Sequence, residues 1–201
     1  MVLYLIGLSH NAQVRKQGSP ETDLQEEFAG CLRRSVRTVH PAFIAEEWSD
    51  EQVVEQSVVS IAKEIADEDG IAHKFCDPNS DERVSRGYRG YVSIFHSLLW
   101  SNDEGLPEDE LHIRAQAIEV GRYFPIRERF WLDQLSKFTG RDGIFVCGQG
   151  HIDSFTELLG TRQIQWEILA EKVGLTAQED AQVQAVEGYL TKHPELANWN
   201  N

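Results

Sequence analysis

Apolar positions recur along the chain in two rhythms. Residues 2–8, 42–46, 71–76 and 143–148 are short, nearly continuous apolar runs that stop on polar or turn residues, as strands buried on both faces do. Between them the apolar positions return every three or four residues. Leu24, Phe28, Cys31, Leu32 and Val36 make one stripe through 21–38, with acidic residues early and arginines late, in keeping with a helix dipole. Val53, Val54, Val58, Ile61, Ala62 and Ile65 repeat the pattern through 50–68, and Gly70 stands where that helix would end. The spacing predicts one helix over each stretch.

Asn79 and Glu82 have capping-box spacing and open a predicted helix that Val84, Tyr88, Tyr91, Val92, Phe95 and Leu99 carry to about Trp100. An acidic turn occupies 101–110, a helix runs from about Pro107 to Tyr123, and Pro125 suits the first turn of another over 125–138. Residues 79–138 are thus a helical insertion before the last core strand. A short helix after His151 ends near Gly160, and QIQWEI at 163–168 alternates like a half-exposed edge strand, with a helix as the competing reading. TAQE at 176–179 caps a C-terminal helix over about 176–193, and the closing residues 198–201 are expected to fray. Strands alternating with helices imply an α/β fold, a mainly parallel sheet with helices on both faces, in a single domain over 1–201.

The charge narrows the partners. Lys and Arg number 19 against 33 Asp and Glu, a net charge of -14 spread along the chain, which repels phosphate backbones and anionic lipid. Neither nucleic acid nor a membrane is an expected partner. Arg83, Arg86 and Arg89 form a local basic group that reads as a solvated helix face. Cys31, Cys76 and Cys147 are odd in number and lack C-x-x-C spacing, so reduced thiols in a reducing compartment are expected. Val2–Leu8 has no preceding positive charge and is too short to span a bilayer, which points to a cytoplasmic protein.

In an open parallel sheet ligands bind beyond the carboxyl ends of the strands. Those ends carry His10, Glu46 and Glu47, Asp77 and His151, with His73 inside the third strand. The two outer histidines share a frame, Gly7-Leu8-Ser9-His10 and Gly148-Gln149-Gly150-His151. A glycine at positive φ would let each histidine fold back over the sheet edge. Two imidazoles and a carboxylate make either a divalent-metal site or an acid–base set. The plainer alternative is that each histidine bonds a nearby backbone group. His73 reads as a satisfied core histidine, and His40, His96, His112 and His193 fit no strand end. Of the tryptophans, Trp48 and Trp131 neighbour candidate site residues, while Trp100, Trp166 and Trp199 do not.

GLSH at 7–10, FIAEEW at 43–48, IRERFW at 126–131 followed by LDQL, and FVCGQGH at 145–151 resemble, in that order, the motifs of the TraB/TIKI and erythromycin-esterase/ChaN-like superfamily. The resemblance touches most of residues 2–160. It implies a compact α/β fold whose cleft serves, in different branches, metal-dependent peptide cleavage, ester hydrolysis or haem binding. By position His10 and His151 take the two histidine roles, Glu46 the carboxylate role and Arg127 the arginine role, with Trp131 and Gln134 on the same helix face. Glu128 stands where the family has Asp or Asn. Glu46 and Glu47 point to opposite sides of a strand, so one of them enters the site, and Glu46 is the choice. Glu47 and Asp77 are second choices as ligands.

The resulting expectation is a hydrolase in which His10, Glu46 and His151 hold a divalent metal such as Mn, Co or Zn, or deprotonate a water directly, and Arg127 stabilises an oxyanion. Its substrate would be an ester, amide or phosphate-containing small molecule or peptide. Arg127 has a plainer alternative, an ion pair with Glu128 or Asp133. A metal- or haem-binding protein without turnover, or a partner-binding component with a decayed site, are the rival readings. The edge strand at 163–168 would permit a homodimer.

Overall fold

The computed structural model describes residues 1–103 and 105–197; the tail expected to fray, 198–201, lies outside the described residues. In chain order come β1 (Val2–Leu8), α1 (His10–Gln13), β2 (Val14–Lys16), α2 (Asp23–Val39), β3 (Phe43–Glu46), α3 (Asp50–Glu55), β4 (Val58–Ser60), α4 (Ile61–Asp69) and β5 (Ala72–Phe75). The insertion contributes α5 (Ser80–Ser85), α6 (Tyr91–Trp100), α7 (Glu108–Ile118), a π-helical turn (Glu119–Tyr123) and α8 (Phe124–Leu135). β6 (Gly143–Gly148), α9 (Ile152–Thr161), β7 (Gln165–Val173) and α10 (Ala177–Lys192) complete the chain.

The fold is α/β, as the two rhythms imply: five parallel strands in the order β5-β3-β6-β1-β7, covered by helices on both faces. β6 enters between β1 and β3, pairing Ile144 with both Tyr4 and Ile44. Chain direction then assigns the faces. The steps β1 to β3 and β3 to β5 run one way across the sheet, and β5 to β6 and β6 to β7 run back. Right-handed crossovers therefore put α2 and α4 on one face and α8 and α9 on the other. Packing agrees. Ile6, Ile44 and Val146 meet Phe28, Leu32 and Ile65, whereas Leu5, Ala45 and Phe145 meet Trp131, Leu135 and Phe155.

Two predicted helices are interrupted, and the two predicted over 107–123 and 125–138 run together through a widened turn. The stretch 50–68 splits because Ser57 turns at φ 53 and Val58–Ser60 pairs antiparallel with Val14–Lys16 as a separate ribbon. Two adjacent β-branched valines suit that ribbon, and Ser60 then caps α4 by accepting from the Lys63 amide at 3.0 Å. The helix expected from Asn79 to Trp100 breaks at Gly87, φ 72, before resuming at Tyr91. Between α7 and α8 the helical turn widens, the Phe124 amide reaching back to the Glu119 carbonyl. Pro125 has no N–H to offer the preceding turn, and the wider π turn accommodates its ring. At 163–168 the strand reading holds: β7 lies on β1 at the sheet edge. Among the described residues no helix is long and apolar enough to cross a membrane.

Candidate functional site

With β6 inserted between β1 and β3, the turns after all three strands meet at one rim. Glu47, one residue past β3, is fully buried there. Its Oε1 lies 3.6 Å from His10 Nε2 and 3.2 Å from His151 Nε2, and accepts from Arg127 Nη2 at 2.6 Å. Its Oε2 accepts the Gly148 amide at 2.7 Å. Arg127, on α8, also donates through Nε to Asp77 Oδ1 at 2.9 Å, where the Trp131 indole donates at 3.0 Å, while Arg83 bonds the other Asp77 oxygen.

His151 is pinned from several sides. Its Nδ1 is 2.8 Å from Glu128 Oε1, which also accepts from Ser154 Oγ at 2.5 Å. The ring stacks on Phe124 with centroids 3.5 Å apart and meets the edge of Trp131. Its Nε2 faces Glu47 Oε1 at 3.2 Å as an ion pair and is buried from solvent. His10 is looser: it begins the one-turn helix α1, capped by Ser9, and its side chain is 53% exposed.

Charge settles within this group. Burial works against ionising Glu47, but His151, Arg127 and His10 outweigh it and hold the carboxyl well below its ordinary range. Burial likewise opposes the imidazolium of His151, yet the Glu47 charge and the Glu128 bond prevail and raise its pKa. Cys147, beneath the site, is pushed far up by burial and by Glu47, and so stays a thiol.

The shared glycines serve close approach, not positive φ. Gly148 has φ -57, and Gly7 is not among the positive-φ residues. A Cβ on Gly148 would stand 2.7 Å from His10 Nε2 and 3.3 Å from Glu47 Oε2; one on Gly7 would stand 2.5 Å from Gln149 Oε1.

Several placements correct the sequence reading. Glu46 is not with the histidines: it faces the α2/α4 side, accepting from Gln13 Nε2 at 2.6 Å and from Ser60 Oγ, with His73 Nε2 at 2.8 Å. Side chains alternate, so Glu47 shares the parity of Phe43 and Ala45 and faces α8. Asp77 holds Arg83, Arg127 and Trp131 and touches neither histidine of the pair. Arg127 pairs with Glu47 and Asp77, not with its helical neighbours, and does not line the cavity described below. His73 is a bonded, nearly buried histidine, as read from sequence. Gln134 lies by a separate 230 Å³ hollow beside Asp77, and Trp48 is buried. Glu128 and Phe124, which fix His151, were not assigned by the sequence; the departure from Asp or Asn at Glu128 was its one signal.

Above the rim opens a cavity of about 330 Å³, reaching His10 and His151 on one side and the π turn and α10 on the other. The helical run starting at Gln149 leaves its first amides without partners inside the run, and Gln149 and Gly150 border this cavity. As a metal centre the donor set is largely spent. The carboxylate between the imidazoles already carries a guanidinium and an amide, and a divalent ion at the two Nε2 atoms would lie against Arg127. Among the described residues no three His, Cys, Asp or Glu side chains are grouped to hold a metal ion. No family model matches the chain, and neither does any curated protein or solved structure.

Proposed function

We propose that the chain is a hydrolase of small esters or amides working by histidine acid–base chemistry around Glu47. The supporting observation is the convergence of His10 and His151, which both border one cavity, on one oxygen of a buried, arginine-held carboxylate. His10, half-exposed and beside the cavity, is the general base that takes a proton from water; Glu47 stabilises the imidazolium formed. The carbonyl oxygen would turn toward the amides of Gln149 and Gly150, the start of a helical run, where developing negative charge is favoured. In this reading the imidazolium of His151 is favoured by Glu47 and Glu128, and Arg127 positions Glu47 instead of meeting the substrate.

The motif resemblance to the erythromycin-esterase-like superfamily agrees in class, with Glu47 taking the carboxylate role in place of Glu46. The arginine at the shared carboxylate favours this reading over one with a resident metal.

A panel of p-nitrophenyl esters and anilides tests it. His10→Ala should lower kcat/KM by roughly 10²-fold or more while circular dichroism stays native. Turnover unchanged in His10→Ala would remove the proposal. Turnover that instead tracks a stoichiometric transition metal on elemental analysis, or a Soret band in the purified protein, would replace it with the metal-dependent or haem-binding alternative.

A further inference from the structure

Away from the rim, α6 has two unlike sides. Ile94 is buried, and Phe95 stacks on His112 of α7 with ring centroids 4.1 Å apart, so one side of the helix is engaged with its neighbour. The other side is apolar and open. Val92 is 63% exposed, Leu99 46% and Trp100 89%, three of the six large apolar side chains left exposed among the described residues and all on this one short helix. With the exposed His96 they follow at i, i+4, i+7 and i+8, a single stripe down the helix. A tryptophan left this open on an apolar stripe marks a contact surface.

The charges around the stripe say what covers it. Residues 90–102 contain no Lys, Arg, Asp or Glu in a chain of net charge -14, so the stripe itself sets no carboxylate against a second copy. Its two ends are charged, and oppositely. Arg89 precedes the first turn, exposed, donating to Ser97 Oγ at 2.6 Å and without an acidic partner among the described residues. Asp103 follows the last turn, also exposed, and its carboxylate has no partner among the described residues. Counted from His96, the two halves match. Val92 and Trp100 stand four residues on either side of it, and Arg89 and Asp103 seven. A second copy laid antiparallel about a two-fold axis at His96 therefore sets Val92 against Trp100 and Arg89 against Asp103, each twice over.

We infer that this face of α6 pairs with the same face of a second copy, antiparallel and centred on His96, to make a two-fold dimer. Trp100, Leu99 and Val92 supply the apolar contact. The Arg89 and Asp103 pairs fix its direction, since a parallel pairing would set like charges together at both ends. A helix of ten residues is about 15 Å long, so the interface is small and the association weak, with Kd of roughly 10–100 µM. This surface is distinct from the β7 edge, and nothing in it depends on the hydrolytic reading.

Sedimentation equilibrium of the full chain from about 10 to 300 µM reads the pairing, with circular dichroism showing that each variant is folded. The wild type should pass from monomer to dimer across this range. Trp100→Ala should weaken association about ten-fold, and Trp166→Ala, at the β7 edge, should leave it unchanged. Arg89→Glu and Asp103→Arg should each weaken it about five-fold, and the two together should return it to within about two-fold of wild type. A chain still monomeric at the highest concentration would overturn the inference, and if that monomer floats with phosphatidylcholine vesicles the face belongs to lipid instead. Dimerisation that survives Trp100→Ala and falls with Trp166→Ala would overturn it in favour of the sheet edge. Charge reversals that do not rescue one another would overturn it as well, because the two ends would then not be meeting.

Discussion

Replacing Glu47 by Gln tests the centre of the site without any substrate. The two carboxylate oxygens receive Arg127 at 2.6 Å and the Gly148 amide at 2.7 Å, with His151 at 3.2 Å and His10 at 3.6 Å. A glutamine has one acceptor oxygen and presents an NH2 group to the other donor, so either the guanidinium or the amide loses its partner. The negative charge vanishes from between Arg127 and His151, both buried, and Asp77 alone is left to balance Arg127. Breaking a buried ion pair by removing one member costs about 3–5 kcal/mol, which for a chain of this length lowers Tm by roughly 10 °C. Glu46→Gln is the control. Glu46 is equally buried, but its partners are Gln13, Ser60 and His73 and no arginine touches it, so the loss should be nearer about 1–3 kcal/mol. Thermal and urea unfolding followed by circular dichroism read both. A Glu47→Gln protein melting within about 2 °C of wild type, or a Glu46→Gln protein losing more, would refute Glu47 as the charged hub.

Other consequences are equally open to measurement. Because the folded-state pKa of His151 is raised, its contribution to stability is fully present below the unfolded histidine value of about 6.5 and is lost as pH rises through the folded value. Urea stability should therefore decline from mildly acidic to alkaline pH, and His151→Gln should flatten that slope. Gly148→Ala sets a methyl 2.7 Å from His10 Nε2, and the exposed imidazole must retreat by about 1 Å to reach ordinary contact. Hydrolysis should fall by about 10²-fold, far out of proportion to any change in melting. Iodoacetamide at pH 8, read by mass spectrometry, should leave Cys76, pushed up to about 12 by burial, and Cys147 unmodified until the protein unfolds, and modify the half-buried Cys31 first.

Much of this molecule was legible along the chain. The four apolar runs became β1, β3, β5 and β6, and the two Gly-to-His frames fall at the ends of β1 and β6, because strand burial and turn chemistry are local properties that a short window carries. Helix interruptions were less legible. Val58–Ser60 is amphipathic enough to continue a helix, and only the presence of Val14–Lys16 opposite makes it a ribbon. The site lay between these cases. That one of two adjacent glutamates would enter it follows from the alternation of a strand; which one does not, since parity has meaning only once the faces are known. The faces come from β6 threading between β1 and β3, which sends the crossover helices of the first and second halves to opposite sides. That pairing joins residues about a hundred positions apart, and no local pattern encodes it. It places Arg127 and His151 on the side of Glu47, leaves Glu46 with Ser60 and His73, and so makes two histidines written at the two ends of the core neighbours around a single carboxylate.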